Sequence, residues 1–278
     1  MRTLLINSSN LVPGTTNQFR YTFPQLWDAK PGAQVALANI SIYNSTFNIT
    51  AGYGNNTISI TFGNRTYNWT IPDGYYSISD LNYWLQSQFI ANDLYAVTTT
   101  GTQNVYFITL TESPTRYSAQ WSFYPLKPSS GYQLPVNTSL VLSTIGTCPQ
   151  VHITAGLGKL LGFPVGVLPT VPLAIPFQAV SADYNLYPAI SPVDTYTVLC
   201  SLINNPLSNP NTYLHQVPLS VPLGQLISEN ITALVWTDVN VMQHRDFTIT
   251  LADQFGNPLQ NKDTSMTLTL VLMDPPTK

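Results

Sequence analysis

The sequence predicts an all-β fold, a single jelly-roll sandwich with one short helix and an irregular insertion. Three observations lead there. Alternating apolar and polar residues recur along most of the chain, which is the period of a half-buried strand. Only one long stretch carries helical spacing, and no strand-helix-strand alternation occurs that would build a parallel sheet. The chain also closes on two strands in need of earlier partners, as a jelly roll requires when its last strand returns beside its first. Phe247, Ile249 and Leu251 alternate with Thr248 and Thr250, and Met266, Leu268, Leu270 and Leu272 alternate with Thr267 and Thr269. Asp253 to Pro258 supplies the Gly, Asn and Pro of the intervening turn.

Taken from the start, residues 1–16 contain Asn7-Ser-Ser-Asn and Pro13-Gly-Thr-Thr with few apolar anchors, and read as an extended N-terminal arm. The jelly-roll domain is expected over 17–278. Phe19, Tyr21 and Phe23 share one face of a short strand that ends at Pro24, the candidate neighbour of the C-terminal strand. A longer strand runs from Ala33 to Tyr43. Its inward set changes phase, from Val35 and Leu37 to Ile40 and Ile42, so a bulge is expected near Ala38-Asn39. Residues 57–62 and 65–71 form a hairpin around Gly63-Asn64. The helix follows, with Ser77 as cap, Asp80 three residues on, and Ile78, Leu81, Leu85 and Phe89 recurring at helical spacing to about Ile90.

Further strands are expected at 95–99, 105–111 and 120–124. Ten prolines then interrupt residues 125–192. Proline cannot donate to a ladder, so long central strands are excluded, and a proline-rich irregular insertion is expected at about 100–192. Regular strands resume at 195–203, 213–217 and 233–239 before the closing pair.

Composition narrows the function. Charged residues make up 8% of the 278 positions, against roughly 25% in an average soluble protein. A polar but nearly uncharged surface sheds water more cheaply than one of Lys and Glu, as buried interface centres do. A secreted β domain with the same Thr, Asn and Tyr bias is the alternative. Net charge is −3 and no Lys/Arg cluster occurs, so no direct nucleic-acid contact is expected. No signal-peptide core and no apolar run long enough for a membrane span are present, so a non-secreted chain without a span is expected, its Asn-x-Thr/Ser sequons a by-product of composition. Cys148 and Cys200 are too few for a disulfide framework and read as buried free thiols.

The chemical motifs are weak, and catalytic, cofactor-binding and metal sites are all read as none. Gly156-Leu-Gly-Lys-Leu-Leu-Gly162 has Leu160 where a phosphate loop needs Ser or Thr after the lysine, and reads as a helical turn packing Leu157, Leu160, Leu161 and Phe163. His152, His215 and His244 lack metal-ligand spacing. Asp246, Asp253 and Asp263 lack the spacing of a calcium loop. Glu112 and Glu229 are the only glutamates available for paired-carboxylate chemistry. No nucleophile elbow exists. The chain therefore reads as a non-enzyme. Its tyrosines and tryptophans could instead form a carbohydrate platform, although Trp69, Trp84 and Trp236 read as packed in regular elements.

A resemblance spans most of the chain. Phe19-Arg-Tyr-Thr-Phe-Pro24, Val35-Ala-Leu-Ala-Asn-Ile-Ser-Ile-Tyr-Asn-Ser-Thr-Phe-Asn48, Ile71-Pro-Asp-Gly-Tyr-Tyr-Ser-Ile-Ser-Asp-Leu81, Leu157-Gly-Lys-Leu-Leu-Gly-Phe-Pro164 and Phe247-Thr-Ile-Thr-Leu-Ala-Asp-Gln-Phe-Gly-Asn-Pro258 occur in that order. Together they resemble the penton, or minor capsid, proteins of virophages, polinton-like viruses and related large double-stranded DNA viruses. The resemblance implies a single upright jelly roll with no catalysis or cofactor. It implies a homopentamer at each vertex of an icosahedral capsid, beside a double jelly-roll major capsid protein and other minor capsid or cement proteins, in the virion. Residues 100–192 match least and are expected to hold an outward insertion. A lectin-like carbohydrate-binding sandwich or a spike head is the alternative. The interface residues are not legible.

Overall fold

The computed structural model describes residues 1–136 and 138–275. The chain divides into two compact units, one made of Met1–Phe47 with Val193–Lys278 and the other of Asn48–Pro192. Three strands open the first unit: β1 (Arg2–Asn7), β2 (Gln18–Asp28) and β3 (Gln34–Tyr43). The second unit holds β4 (Thr57–Phe62), β5 (Arg65–Thr70), α1 (Ile78–Ala91), β6 (Ala96–Thr98), β7 (Asn104–Val105), β8 (Ile108–Ser113) and β9 (Ser118–Phe123). It continues with β10 (Tyr132–Gln133), β11 (Gln150–Ile153), α2 (Ala155–Leu161), β12 (Gly166–Leu168) and β13 (Phe177–Val180). The first unit is completed by β14 (Thr195–Cys200), β15 (Tyr213–Pro218), β16 (Leu226–Asn230), β17 (Thr237–Asp238), β18 (Gln243–Ala252) and β19 (Met266–Met273).

The first unit is an eight-stranded jelly roll. One sheet has the order β1-β19-β3-β16, with the short β17 also on β3, and the other the order β15-β14-β18-β2, all antiparallel. Numbered one to eight along the chain without β17, the strands fall as 1-8-3-6 and 5-4-7-2. Last lies beside first and each sheet draws alternately from both halves, the double Greek key of a jelly roll. The inner faces supply one core. Ile6, Val35, Ile40, Leu268, Leu270 and Leu272 come from one sheet, and Phe19, Tyr196, Val198, Ile249 and Leu251 from the other, each at most 1% exposed.

The expected phase change in β3 is a bulge at Ala38. Thr269 pairs with Asn39 and Leu270 with Leu37, leaving Ala38 unpaired on β19, and its carbonyl accepts instead from the Ile231 amide at 2.9 Å. The alternation of the two closing strands holds residue for residue. They do not pair with each other, however: β18 lies on β2, and β19 between β1 and β3.

Three strand expectations need correction. Residues 1–16 are not an arm, because Arg2–Asn7 pairs with Leu272–Thr267 and buries Leu4 and Ile6. Two inward apolar residues suffice for an edge strand whose neighbour supplies the ladder. The strand at Phe19 does not end at Pro24 but runs to Asp28. Its register jumps from Thr22↔Asp246 to Trp27↔His244, so Pro24 lies in a bulge of an edge strand, where no amide is demanded of it. Within 233–239 only Thr237–Asp238 form a strand, on β3, with Val239 in an isolated bridge to Ile203. The strand of that region is the preceding β16, hidden because Ile227 is its only buried residue.

The second unit begins at Asn48 rather than near 100. It has its own core, including Ile60, Phe89, Trp121, Phe123, Val151 and Leu161. The expected hairpin is β4-β5, with Phe62 opposite Arg65 and Gly63 at φ 58° in its turn. Strands β12-β11-β4-β5 form one sheet, β13-β9-β8 a second and β10-β6-β7 a third. Within 125–192 no described strand exceeds four residues, as the prolines require.

Helix α1 begins as the sequence dictates. Ser77 Oγ accepts from the Asp80 amide at 3.1 Å, and the Asp80 carboxylate accepts from the Ser77 amide at 3.0 Å, a reciprocal capping box. The hydrogen bonds from Ser77 hold the Asp80 carboxyl below the ordinary 3.8. A depressed folded value means that this stabilisation is present above pH 3.8 and is lost as pH falls through the folded value. Ser77→Ala is expected to cost about 1 kcal/mol in urea unfolding at neutral pH. That difference from wild type should shrink in acid.

Candidate interaction surfaces

The residues singled out as possible ligands are dispersed. His152 Nε2 meets Thr61 Oγ1 at 3.0 Å, His244 Nε2 meets the Asn240 carbonyl at 2.9 Å, and His215 lies 3.5 Å from Glu229 Oε1 without hydrogen-bond geometry. No group of three His, Cys, Asp or Glu side chains able to hold a metal occurs among the described residues. Asp253 shapes the turn after β18, accepting from the amides of Phe255 and Asn257, both at 2.8 Å. Asp263 accepts from the Ser265 amide at 2.8 Å, and hydrogen bonding to Ser265 lowers its carboxyl. Asp246 lies in β18 opposite Thr22. Glu112 belongs to β8 in one unit and Glu229 to β16 in the other.

The glycine-rich motif is α2 and its cap. Thr154 accepts from the Leu157 amide at 3.3 Å, and Gly162 ends the helix at φ 75°. Its glycines are there for close approach. A Cβ on Gly156 would meet the Gly54 carbonyl oxygen at 2.5 Å, one on Gly158 the Phe163 carbonyl oxygen at 2.5 Å, and one on Gly162 the Tyr187 backbone at 2.6 Å. Leu157, Leu160, Leu161 and Phe163 are buried, as the sequence implies.

Both cysteines are free and buried. Burial raises the Cys148 thiol to about 11 and the Cys200 thiol to about 12. The thiolate is the reactive form, so neither thiol should react with Ellman's reagent at pH 8 in the native protein. Both should react in denaturant.

Among the exposed apolar side chains of the first unit, two groups are on loops or edge strands. Leu26 on β2 and Val241 and Met242 leading into β18 form one, where the Ala29 amide donates to the Met242 carbonyl at 3.1 Å. Leu207 and Phe255 form the other, on loops brought together where a Cβ on Gly256 would lie 3.8 Å from the Pro210 ring. Leu207 is 95% exposed. Sequence patterning does not reveal these positions, because isolated apolar residues in proline-broken loops look like spacers.

In the second unit a cleft of about 290 Å³ opens between the β8-β9 turn and residues 188–191. Glu112, Ser113, Tyr117, Ser118 and Ser191 line it. Trp69 and Trp84 are half-buried; Tyr117 and Tyr187 are among the exposed aromatics of this unit, with ring centroids 6.3 Å apart.

These features define an all-β jelly-roll protein interrupted between its third and fourth strands by a second compact unit. No protein-family model matches the chain, and neither does any curated protein. Among solved structures it is similar to the mavirus penton protein, at 8% identity over 99% of both chains with a TM-score of 0.42. The jelly roll is defined by strand order and register independently of that similarity.

Proposed function

We propose that the chain is a structural capsid protein, a penton closing the fivefold vertices of an icosahedral double-stranded DNA virus. In this reading it assembles as a homopentamer and contacts a double jelly-roll major capsid protein in the virion, with minor capsid or cement proteins as further neighbours. The observation that carries the reading is the jelly-roll strand order of the first unit, an architecture used by capsid and lectin domains. The ordered motifs that resemble pentons favour the capsid branch. So does a chain with only 8% charged residues that leaves Leu26, Met242, Leu207 and Phe255 in water, as expected of a subunit whose neighbours cover it. A ring uses heterologous contacts, which join two different patches of the same chain.

Native mass spectrometry of the purified chain at micromolar concentration tests self-assembly. The expected species is five copies of the 30.7 kDa chain, about 150 kDa in all. A stable monomer or a two-fold dimer contradicts it. Leu26 is 63% exposed, so Leu26→Asp should change stability by no more than about 0.5 kcal/mol. The same substitution is expected to shift the ring towards monomer.

A further inference from the structure

We infer that the cleft between the β8-β9 turn and residues 188–191 is a binding site for a neutral saccharide. Tyr117 draws attention first. Its φ is 46°, in the left-handed region that a bulky side chain rarely occupies, and its side chain is 73% exposed, so burial does not account for the conformation. The turn presents Tyr117 beside Tyr187, itself 56% exposed, and their rings are inclined by 34°. Two adjacent exposed rings offer apolar faces on which the C–H face of a pyranose can rest.

The polar groups match a polyol. Ser113, Ser118 and Ser191 are among the lining residues, and a serine hydroxyl can both donate and accept. Ser118 is 4% exposed and its Oγ has no hydrogen-bond partner. Glu112 also lines the cleft, and its carboxylate can accept hydrogen bonds from hydroxyls while repelling anions. The nearby cation, Arg116, is committed to Asp183 at 2.5 Å. A ligand bearing sialic acid or phosphate is therefore disfavoured.

The walls are fixed in advance. On one side the β8-β9 ladder, paired from Ile108↔Phe123 to Ser113↔Ser118, holds the base of the turn. On the other, the Ala189 amide donates to the Leu160 carbonyl at 2.9 Å, the Ile190 carbonyl accepts from Asn48 Nδ2 at 2.8 Å, and Ser191 Oγ lies 2.9 Å from Tyr75 OH. A preformed site lowers the cost of ordering on binding. The inference concerns residues 48–192 alone and does not depend on the capsid reading.

The test is saturation-transfer NMR and calorimetry of the full chain with N-acetyllactosamine, maltotriose and cellotriose, with sialyllactose and a lysine-rich peptide as charged controls. Saturable millimolar binding of at least one neutral sugar is expected, unchanged by added salt because no ligand charge is screened. Tyr117→Gly should weaken it about tenfold or more without lowering the melting temperature, since glycine adopts positive φ freely. Ser191→Ala should weaken it as well. Absence of saturable binding by all three neutral sugars overturns the inference. So does binding that survives both substitutions, or a salt-sensitive preference for the peptide. A lower melting temperature in Tyr117→Gly would make Tyr117 a structural residue and overturn it too.

Discussion

Removing residues 1–7 is expected to abolish folding of the jelly roll. The segment supplies six residues of ladder to β19 and buries Leu4 and Ile6, which are 8% and 0% exposed. Truncating one such side chain to Ala costs about 2–5 kcal/mol, and a whole domain is stable by only about 5–15 kcal/mol. Losing both, with the ladder, consumes most or all of that margin. It would also bare β19 as a long apolar edge, an invitation to aggregate. The Arg2–Asp274 ion pair at 3.2 Å joins exposed side chains and adds little. Far-UV circular dichroism and sedimentation of the truncated chain should show a disordered or aggregated product. A soluble, fully folded truncation would mean that the segment is a dispensable arm after all.

The second large effect is expected at Trp121, at the centre of the other unit. It lies in β9, the middle strand of β13-β9-β8, is 0% exposed, and stacks on Phe123 with centroids 6.3 Å apart. Trp121→Ala should cost about 3–5 kcal/mol by urea unfolding through the cavity it leaves. Its Nε1 is buried without a hydrogen-bond partner. Trp121→Phe keeps most of the apolar contact and removes that unpaired donor, so its cost should be only about 1–2 kcal/mol. Equal losses in the two variants would show that the indole nitrogen matters more than packing.

What was legible in the sequence follows from how strongly a segment's own side chains commit it. The closing strands, the bulge at Ala38 and the Ser77–Asp80 capping box are local patterns, and each occurs where the pattern places it. The edge strands β1 and β16 were not legible as strands, because each places few side chains in the core and is held chiefly by a neighbour's backbone. The return of the last strand beside the first was foreseeable, but the first strand is Arg2–Asn7 rather than the segment at Phe19. The boundary at Asn48 carries no compositional mark, since strands on both sides of it alternate alike. The saccharide cleft was invisible for another reason. Nothing in Pro-Thr-Arg-Tyr-Ser announces a tyrosine at positive φ, a conformation that belongs to the closure of the turn between the paired Ser113 and Ser118.

The capsid reading is tested most directly by an icosahedral reconstruction of the particles that contain this chain. The account predicts an eight-stranded jelly roll in the order β1-β19-β3-β16 and β15-β14-β18-β2 around each fivefold axis, five copies to a vertex. Particles that lack the chain, or that carry it only away from the fivefold axes, would contradict it.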